Sequence, residues 1–226
     1  MDGSTFQVKT EVNVLGLNLQ KQLIFSRSKF CPHVFKFDGE KLSKIINLYS
    51  WNPKGLCYTN TGDLLVSMRS EDGAKVVRYV ETSENNFTET RVIQNDQHGD
   101  PLFSKGIDML FLAENGNEDI CVADHAGEKV LVFNSTGYLR FIYKGNVTNT
   151  SENRSFRPNQ IATDVNFQIL ISDFYKNTVH VIDQHSSLIC YINHKCSGGL
   201  SIDLDHNLLV GDYSSGEIKV IKYLEN

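Results

Sequence analysis

A short pattern of three apolar runs and an aspartate recurs along this 226-residue chain, and it restricts the fold more than any other feature. Its clearest copy spans 160–183. There Ile161 and Ala162, then Ile169 to 171, then Val179 to 182 are apolar runs parted by polar turns, with Asp173 just past the middle run. Each run is too short for a helix and rich in β-branched residues, so the pattern reads strand, turn, strand, turn, strand. Downstream, 200–203, 208–213 and 217–221 repeat the three runs, with Asp212 in the place of Asp173. Upstream, 120–125 with 129–133 repeats the pattern around Asp124. The segments 62–67 with 75–79 do so with Met68 at the aspartate position, and 22–27 with 33–37 form the faintest copy. Anchored on Leu23, Leu64, Ile120, Ile169 and Leu208, the copies lie roughly 40 to 56 residues apart, the range of propellers and solenoids.

The repeat divides one domain, 1–226, into units of approximately 10–50, 51–100, 101–150, 151–195 and 196–226. The first unit holds four runs, at 12–17, 23–27, 34–37 and 44–49, with turns at 18–21 and 38–40. The expected outer strands of the second and fourth units are 90–93 and 188–192, and 81–88 reads as a polar separator. The third unit runs from Pro101 and has a hairpin turn at 134–137 that leads into 139–143. The stretch 146–155 is a polar connection. The last unit shows only three strands, and an apolar-alternating segment at 5–9 stands ahead of the first unit. An open strand edge is a liability, so 1–9 is expected to complete the last unit and pin the ring closed. The fold class is therefore all-β: a β-propeller of about five four-stranded blades.

Composition narrows the partners. A net charge of −5 gives no support to binding of DNA or of an anionic membrane, though it leaves room for a local basic face. The five cysteines are odd in number and contain no CxxC pair. Cys57 and Cys121 sit inside apolar runs, so reduced thiols are expected. The start of the chain has no basic segment followed by an apolar one, so the expected location is cytoplasmic. The N-x-S/T matches at Asn86, Asn134, Asn146, Asn149 and Asn153 then carry no weight.

Within the units, a Pro-x-Gly-aliphatic opening, an Asp or Asn before an apolar run, and a closing Asp together resemble the NHL repeat. The pattern is legible in 53–56 with 63–66, in 119–124, in 157–161 with 169–173, and in 207–212. Beyond the repeat, 51–79 and 218–225 resemble the C-terminal propellers of molluscan tripartite-motif proteins, from Trp51 onward more than before it. The resemblance implies an NHL β-propeller, normally of six blades, serving as a recognition module behind RING, B-box and coiled-coil modules. The RING of that family confers ubiquitin-ligase activity, and no RING or B-box spacing of Cys and His occurs here. About five units against six implies a truncated chain or a shortened ring.

The repeated Asp124, Asp173 and Asp212 invite a metal reading. An aspartate directly after a strand also accepts N–H groups of the following turn, and that explains its position in every unit. They are assigned as turn formers, with no metal and no cofactor. None of the seven histidines falls in an HxH or HExxH pattern and no GxSxG occurs, so the chain is expected not to be an enzyme. His180, in an apolar strand, is assigned as packed.

Propeller loops divide between two faces. The second-to-third-strand turns and inter-blade loops carry Arg27, Lys29, Lys54, Arg69, Lys105, Arg157, Lys176 and Lys195, partly offset by Glu71, Asp72, Asp100 and Glu128. The other hairpins carry mainly acids, including Asp38, Asp63, Glu118, Asp183 and Asp205. The expected binding face is thus mildly basic and aromatic: Trp51, Lys54, Arg69, His125, Arg157, Phe174, Tyr175, Lys176 and Tyr213. Exposed aromatics beside Arg or Lys suit recognition of a protein partner. The alternative is single-stranded RNA, with bases stacked on those aromatics. A small-molecule propeller enzyme is the third reading.

Overall fold

The computed structural model describes residues 12–27, 31–106, 108–145, 155–194, 199–212 and 214–224. The described residues form nineteen strands and no helix, arranged as five antiparallel sheets in chain order. The first blade comprises β1 (Val12–Leu17), β2 (Leu23–Arg27), β3 (His33–Phe37) and β4 (Leu42–Asn47). The second comprises β5 (Asn52–Tyr58), β6 (Leu64–Ser70), β7 (Gly73–Ser83) and β8 (Asn86–Ile93). The third holds β9 (Leu110–Glu114), β10 (Ile120–Asp124), β11 (Lys129–Phe133) and β12 (Leu139–Tyr143). In the fourth are β13 (Pro158–Thr163), β14 (Ile169–Asp173), β15 (Thr178–Ile182) and β16 (Leu188–Asn193). The fifth has β17 (Leu200–Ile202), β18 (Leu208–Asp212) and β19 (Glu217–Ile221), three strands among the described residues.

Each sheet is an up-and-down meander, and the first strands of successive blades pack against each other in the order β1, β5, β9, β13, β17. That is a β-propeller. Among the described residues β17 and β1 do not pack on each other as those neighbours do. The segment 1–9, expected to complete the last blade, lies outside the described residues.

The core is a series of layers between blades, and strand alternation explains why. In β6, Leu64, Val66 and Met68 join Ile24, Val34 and Ile46 of the first blade, while Leu65 points the other way and joins Leu110, Ile120 and Leu131 of the third. Second strands are covered on both faces, so β10 and β14 are buried throughout and read as unbroken apolar runs. Outer strands such as β16 are mostly exposed.

Two differences from the expected elements have plain causes. The polar stretch 81–88 belongs to a long β7–β8 hairpin, because backbone pairing there runs past the core and its side chains face solvent. β9 has no counterpart among the expected runs. Its apolar run, Leu110 to Ala113, is followed by a turn at Asn115, Gly116 and Asn117, a local signal that the sequence reading passed over.

The hairpins on the acidic side share one turn. Asp164 Oδ1 accepts the N–H groups of Asn166 and Gln168 at 2.9 Å each, Asp183 Oδ1 those of His185 and Ser187, and Asp203 Oδ1 those of Asp205 and Asn207. The residue two before the closing strand adopts positive φ: Phe167, Ser186 and His206 stand there, as Gly62 and Gly137 do in other hairpins. Asp164, Asp183 and Asp203 are thus turn formers.

Candidate recognition surface

The opposite side brings together the β6–β7, β10–β11 and β14–β15 turns and the inter-blade connections. Its best-defined feature lies between blades 3 and 4. The β14–β15 turn projects Phe174 and Tyr175, which are 40% and 43% exposed. Their rings lie 5.6 Å apart, edge to face, and the His125 ring meets Phe174 edge-on at 6.2 Å. The Arg157 guanidinium lies 5.8 Å from the Tyr175 ring centre, donates to the His125 carbonyl at 3.3 Å and pairs with Glu128 at 3.1 Å. His125 Nδ1 is 3.1 Å from the Pro158 carbonyl. Four of the sequence-selected residues, His125, Arg157, Phe174 and Tyr175, therefore form one contact group. Lys176 follows in the same turn and is half-buried.

Asp173 underlies this group. Its Oδ1 accepts the N–H groups of Arg157, Tyr175 and Lys176 at 3.3, 3.2 and 3.4 Å. Burial pushes its carboxyl up, but the His180 imidazole and the Arg157 and Lys176 N–H groups outweigh that and hold it below its ordinary value.

Arg69 differs from its expected place on the surface. It is buried, and its guanidinium pairs with Asp124 Oδ1 at 2.8 Å and donates to the Ser104 carbonyl. Asp124 also accepts the Ser104 N–H and hydroxyl and the Gly127 N–H. Arg69 therefore ties blade 2 to blade 3, because the repeated aspartate points back at the preceding blade, where the Arg69 guanidinium reaches it.

Trp51 and Lys54 lie on blade 2, outside the tip group. Trp51 packs on the layer between blades 1 and 2, and the Lys75 ammonium sits 4.4 Å from its ring centre. Lys54 is at a register shift between β5 and β6, a place where a strand re-aims a side chain. Burial lowers its amine and the nearby Arg69 lowers it further, while Asp108 opposes both. Asp212 Oδ1 accepts the Ser214 N–H at 3.0 Å. Tyr213 lies outside the described residues. Among those residues no group of three or more His, Cys, Asp and Glu is placed to hold a metal ion.

The sequence reading missed Ser104 and Lys75 and counted Glu128 only as an offsetting charge; their roles depend on which blades adjoin. It also set aside His180 as packed. The only local signal for His180 was a polar residue in an otherwise apolar strand.

No family model matches the chain, and no curated protein sequence matches it. Solved structures do. A catalytically inactive virginiamycin B lyase from Staphylococcus aureus, solved with quinupristin, has a TM-score of 0.66 at 12% identity, covering 99% of this chain and 74% of that one. A nidogen/laminin complex gives 0.66 at 12% identity over 93% of this chain and 75% of that one. A putative oxidoreductase (glucose dehydrogenase) from Thermus thermophilus gives 0.57 at 14% over 95% and 84%.

The likeness is one of fold. The propeller is shown by it, and the narrower tripartite-motif resemblance is not. One expectation is corrected here. The chain was expected not to be an enzyme, yet its fold is shared with a lyase and a putative oxidoreductase, so that exclusion does not stand. The physical reason is that motif absence speaks only to chemistries with contiguous motifs. Loops around a ring assemble groups from distant blades, which no short pattern records.

Proposed function

We propose that the chain is a recognition module that binds a protein partner through the blade 3–4 tip. The observation that carries this reading is the pair Phe174 and Tyr175, exposed yet held in place by Asp173 below and by Arg157 and His125 beside them. Aromatic and arginine side chains supply most of the energy of protein interfaces, and holding them before contact reduces the ordering cost of binding. In the finer form of this reading, the module presents substrates to an attached ubiquitin ligase of the tripartite-motif kind. The nidogen/laminin neighbour supports the coarser form alone, as a similar fold engaged with another protein.

The test compares wild type with Phe174→Ala/Tyr175→Ala and with Glu84→Lys on the opposite side, using immobilised protein and quantified capture from a lysate of the source cells. The tip variant is expected to weaken capture of a saturable partner by about tenfold or more. The Glu84 variant is expected to leave it unchanged. Equal capture by the tip variant sinks the reading. A parallel titration with random single-stranded RNA at two salt concentrations addresses the alternative. RNA affinity that falls steeply with salt and is lost in Arg157→Glu would replace the protein partner with RNA.

A further inference from the structure

The repeated aspartate meets a different partner in each of two successive blades. In blade 3, Asp124 faces the guanidinium of Arg69 at 2.8 Å, a cation that keeps its charge at any ordinary pH. In blade 4, Asp173 faces an imidazole instead: His180 Nε2 lies 3.6 Å from Asp173 Oδ2, with both side chains essentially inaccessible to solvent. Register shows how the exchange arises. Leu131 pairs with Val122 on β10, and His180 pairs with Ile171 at the same place on β14. A leucine in one blade is therefore a histidine in the next.

The His180 ring is enclosed. Tyr143 on β12 and Tyr191 on β16 meet it edge-on at 5.9 and 4.8 Å between ring centres, and Phe156 lies at 5.0 Å. Among the described residues, the titratable groups facing it are Asp173 from β14, Tyr143 from β12 and Tyr191 from β16. The Tyr143 hydroxyl is 2.8 Å from His180 Nδ1. A neutral imidazole has one donor and one acceptor nitrogen, so a hydroxyl donating to Nδ1 leaves the N–H on Nε2, aimed at Asp173. Among the described residues neither His180 Nε2 nor Asp173 Oδ2 has a hydrogen-bond partner at this separation. The other oxygen of the same carboxylate holds the tip, through bonds of 3.2 to 3.4 Å to Tyr175, Lys176 and Arg157.

We propose that His180 is a pH-responsive positioning residue for the blade 4 tip, acting through Asp173. Protonation makes Nε2–H a charged donor opposite a buried carboxylate and strengthens that pair. The carboxylate is drawn toward β15, and its grip on the Tyr175 and Lys176 N–H groups slackens. Nδ1 becomes a donor too, so the Tyr143 hydroxyl must turn to accept. Deprotonation restores the arrangement described above. The Arg69–Asp124 tie has no such response, so one repeat position serves as a fixed clamp in blade 3 and a titratable one in blade 4.

The proposal concerns the free protein, and it stands or falls independently of what the tip binds. The test is a 1H–15N and imidazole NMR titration between about pH 5 and 8, the range in which histidine changes charge. It is run in a His125→Gln background to remove the other imidazole near the tip. The Tyr175 and Lys176 amide signals are expected to move with a single midpoint that coincides with the His180 ring signal. The Ser104 amide, bound to Asp124, is expected to stay still. Adding His180→Gln should flatten the Tyr175 and Lys176 curves. The wild-type curves decide the matter even if that variant does not fold. Amides that do not follow the His180 ring, a ring that does not titrate in this range, or an equal response at Ser104 would each overturn it.

Discussion

Asp124 and Asp173 occupy one repeat position and show how much a neighbour decides. The Arg69–Asp124 pair is buried, so removing one partner leaves an uncompensated charge at a cost of about 3–5 kcal/mol. Asp124→Ala is therefore expected to lower the urea midpoint sharply, and Arg69→Met/Asp124→Leu to recover part of the loss. A double variant no more stable than Asp124→Ala would contradict the assignment of Arg69 as a tie between blades. The Arg157–Glu128 pair, by contrast, is partly exposed on both sides and contributes at most about 1 kcal/mol. Its worth lies in aiming Arg157 across Tyr175.

The turn aspartates set the acid limit at the same scale. The Asp38 carboxyl is held below its ordinary value of 3.8 by the N–H groups of Lys41 and Glu40, and Asp96 by those of Asp100 and His98. Asp203 is lowered first by the Asn207 side chain and then by the Asn207 N–H. A carboxyl lowered on folding stabilises the native state fully above its unfolded value, and the contribution disappears as pH falls through the folded value. Stability should accordingly hold flat from neutrality down to about pH 5 as far as these groups decide it, then fall below about pH 4. Denaturant midpoints across pH 2.5 to 5 check this. Asp203→Asn should make the acid fall shallower, and an unchanged slope would remove the turn from the account.

Among the elements, the first strands of neighbouring blades approach one another closely. A Cβ added at Gly55 would stand 2.6 Å from the Leu110 carbonyl oxygen of β9 and 2.7 Å from the Ser67 hydroxyl. The oxygen is backbone and cannot swing aside, so Gly55→Ala must part β5 from β9. Overpacking of that kind costs about 1–3 kcal/mol. A thermal midpoint that falls while the fold is retained is the expected result, and no change would mean that the blades part freely there. The sequence displayed Gly55 as part of the Pro-x-Gly opening, and the structure supplies the reason a side chain is excluded. Middle strands were legible because burial on both faces makes them continuous apolar runs. The 81–88 hairpin was not, since pairing with a neighbour creates a strand that its own side chains do not announce; β9 was passed over although its apolar run precedes an Asn-Gly turn.

For the whole molecule, the fifth blade has three strands among the described residues, and β19 exposes Ile218 and Val220. The other four blades each have a fourth strand; the expectation that 1–9 completes the last one lies outside the described residues and is tested by deletion. Phe6 and Val8 alternate with the spacing of Ile218 and Val220. Deleting 1–9 should lower the melting temperature by several degrees, the effect of losing 1 kcal/mol or more in a domain of this size. An unchanged melting curve after deletion would leave the ring without this closure.

The sequence by itself determined the repeat and the all-β class. Those features follow from periodicity and turn chemistry, which are local and therefore written along the chain. Only the tertiary structure decided that Arg69 is a buried tie rather than a surface contact, and that His180 stands under the tip through Asp173. Both depend on which blade lies against which. A side chain's exposure and reach are set by neighbours 35 to 55 residues away, and no local pattern carries that information.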